Sequence, residues 1–141
     1  MRRSGDSDAR RLFAYGTLMF AEVFGAVCHA TRPARPASLR DYARHALRGR
    51  VYPGLVSAPG ACTEGVVFEG IDAALWARLD AFEGALYERR TVTVEDAAHG
   101  RVIAAEVYVI APRARRLLTA VPWDADAFRA RHLATYLARH G

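Results

Sequence analysis

At 141 residues, with 52% hydrophobic and 25% charged residues, the chain can bury one core without disulfide or metal staples and has the composition of a globular protein. No apolar run approaches the roughly 20 residues that span a bilayer, and Arg2-Arg3 is not followed by an apolar stretch with a cleavage site, so cytoplasmic residence without a membrane partner is expected. The net charge of +5 invites a nucleic-acid reading, but all 20 basic residues are arginine, scattered along a chain that lacks lysine, asparagine and glutamine; this is compositional bias, and no nucleic-acid partner is expected.

Residues 1–9 are small and polar and are expected to be disordered, leaving 10–141 as a single domain. A first strand is predicted over Arg11–Tyr15, followed after a break by a short helix in "MFAEVFGAV". "TRPARPA" (31–37) holds two prolines and reads as an extended surface connection. From Ser38 to Val51 the apolar alternation is uneven, giving one or two strands, and "YPGL" (52–55) signals a turn. "EGVVFEGI" (64–71) is a strand bounded by glycines.

The period then changes. Leu75, Trp76, Leu79 and Phe82 recur at helical spacing, with Asp72 as N-cap and Gly84 just past the end. "RRTVTVED" and "RVIAAEVYVI" form a hairpin around "AAHG". A terminal helix capped by Asp124 carries Phe128, Leu133, Tyr136 and Leu137 on one side. This order predicts an α+β fold: a mainly antiparallel curved sheet or small barrel with helices packed on it. Cys28 and Cys62 lie 34 residues apart and are expected to be two buried thiols. The five histidines lack metal-ligand spacing, so no metal site is expected.

Two segments stand out chemically. "LFAYGTLMF" (12–20) interrupts a buried strand with Tyr15-Gly16-Thr17 and resumes it at once. Glycine permits a sharp bend and close approach of a ligand to the backbone. The stretch is either a plain turn or a place where the amides of Gly16, Thr17 and Leu18 converge as an anion-binding concavity. In "LDAFEGALYERR" (79–90), Glu83 is the last residue before the helix-stopping Gly84, where the negative end of the helix dipole disfavours a carboxylate. It is either a solvated glutamate or a carboxyl whose dipole and burial raise its pKa toward a value useful for proton transfer.

Taken together and in order, "YGTL", "YPGL", "GVVFEGI", "LDAFEG" with "YERR", and "AEVYVI" resemble the γ-glutamylcyclotransferase-like family, from about Leu12 to Tyr108. The likeness is to the branch of γ-glutamylamine cyclotransferases and plant avirulence-induced proteins. Classical members carry Ser-Asn where this chain has Thr17. The resemblance implies a small β-barrel flanked by helices, with the first-strand loop and the glutamate facing each other across a cavity. It implies Glu83 as general acid/base and a glutamyl site formed by Tyr15, Gly16, Thr17 and Leu18. Tyr87, Arg89 and Tyr108 fall at matching positions, as substrate contacts or as a structural ion pair and rim aromatics. The implied reaction is cyclisation of a γ-glutamyl amine or amino acid to 5-oxoproline with release of the amine, without a cofactor. A binding or regulatory domain of the same fold is the alternative.

Overall fold

A computed structural model describes residues 10–140; the segment 1–9, expected to be disordered, lies outside the described residues. Strand β1 (Leu12–Ala14) runs through a 3-10 turn (Thr17–Met19) into helix α1 (Ala21–Cys28). A long hairpin, β2 (Ala34–Leu47) and β3 (Pro53–Phe68), is followed by α2 (Ala73–Glu83). A second hairpin follows, β4 (Tyr87–Asp96) and β5 (Arg101–Ile110), then a 3-10 segment (Pro112–Leu117) and β6 (Leu118–Pro122). Helices α3 (Ala125–Arg131) and α4 (Leu133–His140) complete the described chain.

Antiparallel pairings run β1–β3, β3–β2, β2–β4 and β4–β5, and β5 returns to β1 in parallel through Leu12 and Glu106. The result is a closed five-stranded barrel, with β6 added to β2 as a sixth strand and helices on the outside. The mainly antiparallel α+β barrel expected from the sequence is the observed fold.

Strand β1 has no wet face. Phe13 and Tyr15 point into the barrel interior with Leu39, Leu55 and Val107. Leu12 and Ala14 point the other way, into the layer where α1, α2 and α4 pack through Phe24, Leu79 and Tyr136. Burial on both sides explains why the segment reads as a continuous apolar run rather than an alternating one. Its neighbour β3 approaches so closely that a Cβ on Gly65 would collide with the Ala14 carbonyl oxygen. A glycine is therefore required there.

Several expectations need correction. The uneven pattern over Ser38–Val51 belongs to one strand that ends at Leu47 and is broken by a bulge at Asp41. Asp41 adopts φ +67° opposite residues 58–61, and its carboxylate accepts from the Gly60 amide at 2.9 Å. The extra residues shift the inward-facing set, so a period-2 reading fails across them. Ala34–Ala37, read as a surface connection, already pairs with β3, and the "YPGL" bend is confined to its start because Pro53 begins β3. Segments 52–63 and 111–123 are largely β3 and the 3-10 segment with β6. The single terminal helix is two, broken at His132 (φ −128°), although Asp124 caps the first by accepting from the Asp126 and Ala127 amides. Cys28 is buried but Cys62 is exposed, since β3 alternates and Cys62 takes the outward position beside inward Thr63.

At the barrel end away from Gly16, Asp96 is fully buried. It is held by Arg35 at 2.7 Å, while Arg35 and Arg11 share Glu69 at 2.7 and 3.1 Å. Burial opposes its charge, but hydrogen bonds from Arg35 and His99 outweigh that and hold the carboxyl well below the usual range. Part of the arginine excess thus serves as internal ties between β1, β2, β3 and β4.

Candidate active site

Glu83 owes its position to helical spacing. Leu75, Leu79 and Glu83 stand four residues apart and therefore form one stripe of α2, whose first two members are buried in the core. The helix starts where the Asp72 carboxylate accepts from the Leu75 amide at 2.9 Å and stops at Gly84, whose φ of +68° turns the chain outward. The last position of an apolar stripe thus carries a carboxyl. Burial first, and the neighbouring Asp80 carboxylate second, raise its pKa from 4.5 to about 8. Asp80 precedes it by three residues on the same helix face, so repulsion between the two charges is unavoidable. Among the described residues, no protein donor hydrogen-bonds to the Glu83 carboxyl.

Glu83 lines a cavity of about 150 Å³ together with Tyr15, Gly16, Thr17, Leu18, Tyr87 and Tyr108. The expected loop and glutamate therefore share one chamber. Ligand pockets for drug-sized molecules run to about 300–1,000 Å³, so this one suits only a small moiety, with the remainder of any larger ligand outside. After β1 the chain turns at Gly16 into the 3-10 turn, where the Met19 amide donates to the Gly16 carbonyl at 3.1 Å. The amides of Gly16, Thr17 and Leu18 have no protein acceptor among the described residues. Space at Gly16 is tight, since a Cβ there would lie 3.0 and 3.1 Å from Cγ and Cδ of Pro53. Its φ of −115° places no demand for glycine, but any side chain there obliges Pro53 to give way by a few tenths of an ångström.

Five tyrosines line the chamber, and four of them, Tyr15, Tyr87, Tyr108 and Tyr136, hydrogen-bond within the protein. The Tyr15 hydroxyl donates to the Tyr108 carbonyl at 2.6 Å and that of Tyr87 to the Pro53 carbonyl at 2.6 Å. Tyr108 donates to Asp80 at 2.6 Å, and Tyr136 shares a hydrogen bond with Thr17 Oγ1 at 3.2 Å. Desolvation raises the pKa of all four, that of Tyr136 to about 12, so each remains a neutral donor at physiological pH. Two chain segments joined only by tertiary contact, the β1 turn and α4, are thereby tied together over the cavity.

Arg89 is not in this chamber. It lines an adjoining, more open recess of about 400 Å³ with Asp80 and Glu106, and Glu83, Tyr87 and Tyr108 line both spaces. Its guanidinium pairs with Asp80 at 3.3 Å, lies 3.9 Å from Glu106 and stacks 4.3 Å from the Trp76 ring centroid. Cavity residues that the sequence does not single out are Tyr52, Pro53, Phe82, Leu86, Tyr136 and His140. Tyr52 falls within a turn signal, and Tyr136 within an apolar helix face. A hydroxyl on that otherwise apolar face is the available signal.

A family model described as γ-glutamyl cyclotransferase, AIG2-like, matches residues 12–125. Protein AIG2 C of Arabidopsis thaliana is 32% identical over 106 residues, which cover 75% of this chain and 64% of that relative. The chain thus spans less than two thirds of that protein's length. A solution structure of an Arabidopsis thaliana protein superposes with a TM-score of 0.72 at 28% identity, covering 92% of this chain and 78% of that one. A γ-glutamyl cyclotransferase structure superposes at 0.66 with 16% identity, covering 92% of this chain and 85% of that one, and shares the fold. Matched from the first strand into the start of α3, this chain belongs to the γ-glutamyl cyclotransferase, AIG2-like family.

Proposed function

We propose that the protein cyclises a γ-glutamyl amine or amino acid to 5-oxoproline and releases the amine, with Glu83 as the general acid/base. The observation that carries this reading is a carboxyl with a pKa of about 8 in the wall of a small chamber that also presents unpaired backbone amides. Binding alone gains nothing from a group so costly to ionise.

In the proposed reaction the substrate's α-amine forms a bond to its own γ-carbonyl carbon, and the bond from that carbon to the leaving nitrogen breaks. Both reactive groups belong to one molecule, so folding it into the attack geometry supplies much of the rate; oriented intramolecular reactions gain on the order of 7–11 kcal/mol in this way. The attacking nitrogen sheds two protons, one before attack and one as the ring closes. Glu83 takes each in turn and passes it to the leaving nitrogen, which departs as an ammonium, so Glu83 ends as it began. Such transfers contribute typically about 10²–10⁴-fold. Arrival of a substrate ammonium beside the neutral carboxyl favours its ionisation and primes the base. The donors at Gly16, Thr17 and Leu18 suit an anionic substrate group. Neither electron transfer nor a covalent enzyme intermediate enters this scheme, and no cofactor is invoked.

The leaving group extends from the small chamber toward the open recess that shares Glu83, where Arg89, Asp80 and Glu106 are the nearest charged side chains. The test is 5-oxoproline release from a panel of γ-glutamyl amines and amino acids, run beside Glu83→Gln. Release by the wild type and not by the folded variant is expected. Turnover by Glu83→Gln at near-normal rate removes the assignment of the base, and silence of the wild type across the panel favours a binding domain of the same fold.

A further inference from the structure

Arg44, on β2, is half-buried and has no carboxylate within ion-pair distance among the described residues. Its Nη1 instead donates to two backbone carbonyls, those of Tyr15 at 2.7 Å and Glu64 at 3.2 Å. Its guanidinium lies 5.4 Å from the ring centroid of Trp123, whose indole nitrogen is anchored to the Val51 carbonyl at 2.8 Å. Withdrawing an arginine from water is costly, and besides the carbonyl dipoles and the ring face only the longer-range charges of Asp124 and Glu64 offset it. Burial still outweighs those charges, so a further negative charge nearby is favoured.

The Tyr15 carbonyl belongs to the peptide that enters the bend at Gly16. That peptide is trans, so its C=O and the N–H of Gly16 point in opposite directions. Arg44 is not among the cavity-lining residues, whereas Tyr15, Gly16 and Thr17 are. Drawing the carbonyl toward Arg44 therefore turns the Gly16 N–H away from Arg44, and that N–H has no protein acceptor among the described residues. We infer that Arg44 is a positioning residue for substrate binding: by holding the Tyr15 carbonyl it aims the Gly16 amide into the chamber, and its charge favours a carboxylate there. This rests on the cyclotransferase reading, and it commits the turn to the α-carboxylate, which is charged throughout the reaction, rather than to the transient γ-oxyanion.

The test compares two ring ligands that differ by that one group, 5-oxoproline and 2-pyrrolidinone, titrated calorimetrically into wild type, Arg44→Met and Arg44→Lys. Charged hydrogen bonds of this kind correspond to about 10- to 100-fold in affinity. Arg44→Met is expected to weaken 5-oxoproline by that factor and to leave 2-pyrrolidinone unchanged, a pattern that a loss of general stability does not produce. Arg44→Lys, which keeps the charge but has no planar fork, is expected to bind 5-oxoproline more tightly than Arg44→Met. If Arg44→Met fails to fold, Arg44→Lys carries the test, with a loss confined to 5-oxoproline as the expected result. Equal loss on both ligands, or none on either, overturns the inference while wild-type binding of 5-oxoproline leaves the cyclotransferase reading standing. A wild type that binds neither ring overturns both.

Discussion

The Glu83 carboxyl makes stability itself depend on pH in a direction opposite to that of most acidic residues. Its pKa lies near 8 in the folded chain against an ordinary 4.5, because burial and Asp80 disfavour the charge. Below pH 4.5 both folded and unfolded chains hold the proton, and the group costs nothing. Between 4.5 and about 8 only the folded chain holds it, so stability falls by about 1.36 kcal/mol per pH unit. Above 8 both states are ionised and the cost is constant, at most about 5 kcal/mol over that interval. Because Glu83 keeps some solvent contact through the cavity, the realised figure is expected at about 2–4 kcal/mol.

Glu83→Gln removes this titration and keeps the shape. Urea denaturation of both proteins from pH 4 to 9 is the assay, and the quantity read is the change in their difference. The variant should gain on the wild type as pH rises through 4.5–8 and hold the gain above 8, equivalent to roughly 5–15 °C in Tm. Parallel curves across the range refute the perturbed carboxyl. A difference that shifts in favour of the wild type instead means that the ionised carboxylate is stabilised by donors, reversing the electrostatic argument.

Two further outcomes follow from the same geometry. With Glu83 as base, kcat/KM should rise about tenfold per pH unit up to about 8 rather than levelling near 4.5, and Asp80→Asn should shift that rise to lower pH. An asparagine oxygen can still accept from Tyr108, so a profile that does not move in a folded Asp80→Asn variant excludes the Asp80 charge as a cause. Gly16→Val drives branched carbon into Pro53, whose Cγ would lie only 3.0 Å from the first added carbon, the Cβ. Overpacking of this kind costs about 1–3 kcal/mol, and the variant should remain folded by circular dichroism while losing 5-oxoproline affinity; full unfolding makes the glycine structural instead.

Local signals read correctly wherever the determinant is local. The Asp72 and Asp124 caps, the Gly84 stop and the hairpin around residues 97–100 depend on side chains and backbone angles within a few positions, and each is present. Placement of Glu83 on the stripe of Leu75 and Leu79 follows from helical geometry alone. The order of apolar strands with a glycine-broken first strand is likewise sufficient for the α+β barrel. What the sequence hides is set by partners distant along the chain. Asp41 bulges because residues 58–61 lie opposite it, and the turn at 52–55 is cut to its start because Pro53 onward pairs with β2. Tyr136 reaches the cavity only because α4 folds back 119 residues to meet Thr17. Arg44 is, in sequence, one more solvated arginine; β2 brings it beside the Tyr15 carbonyl, 29 positions away. Spacing and capping are properties of a short stretch of chain, so the sequence by itself determined where α2 starts and stops and that Glu83 is its last residue. Desolvation, bulges and carbonyl contacts require two distant segments to exclude water between them, and barrel closure alone decided those.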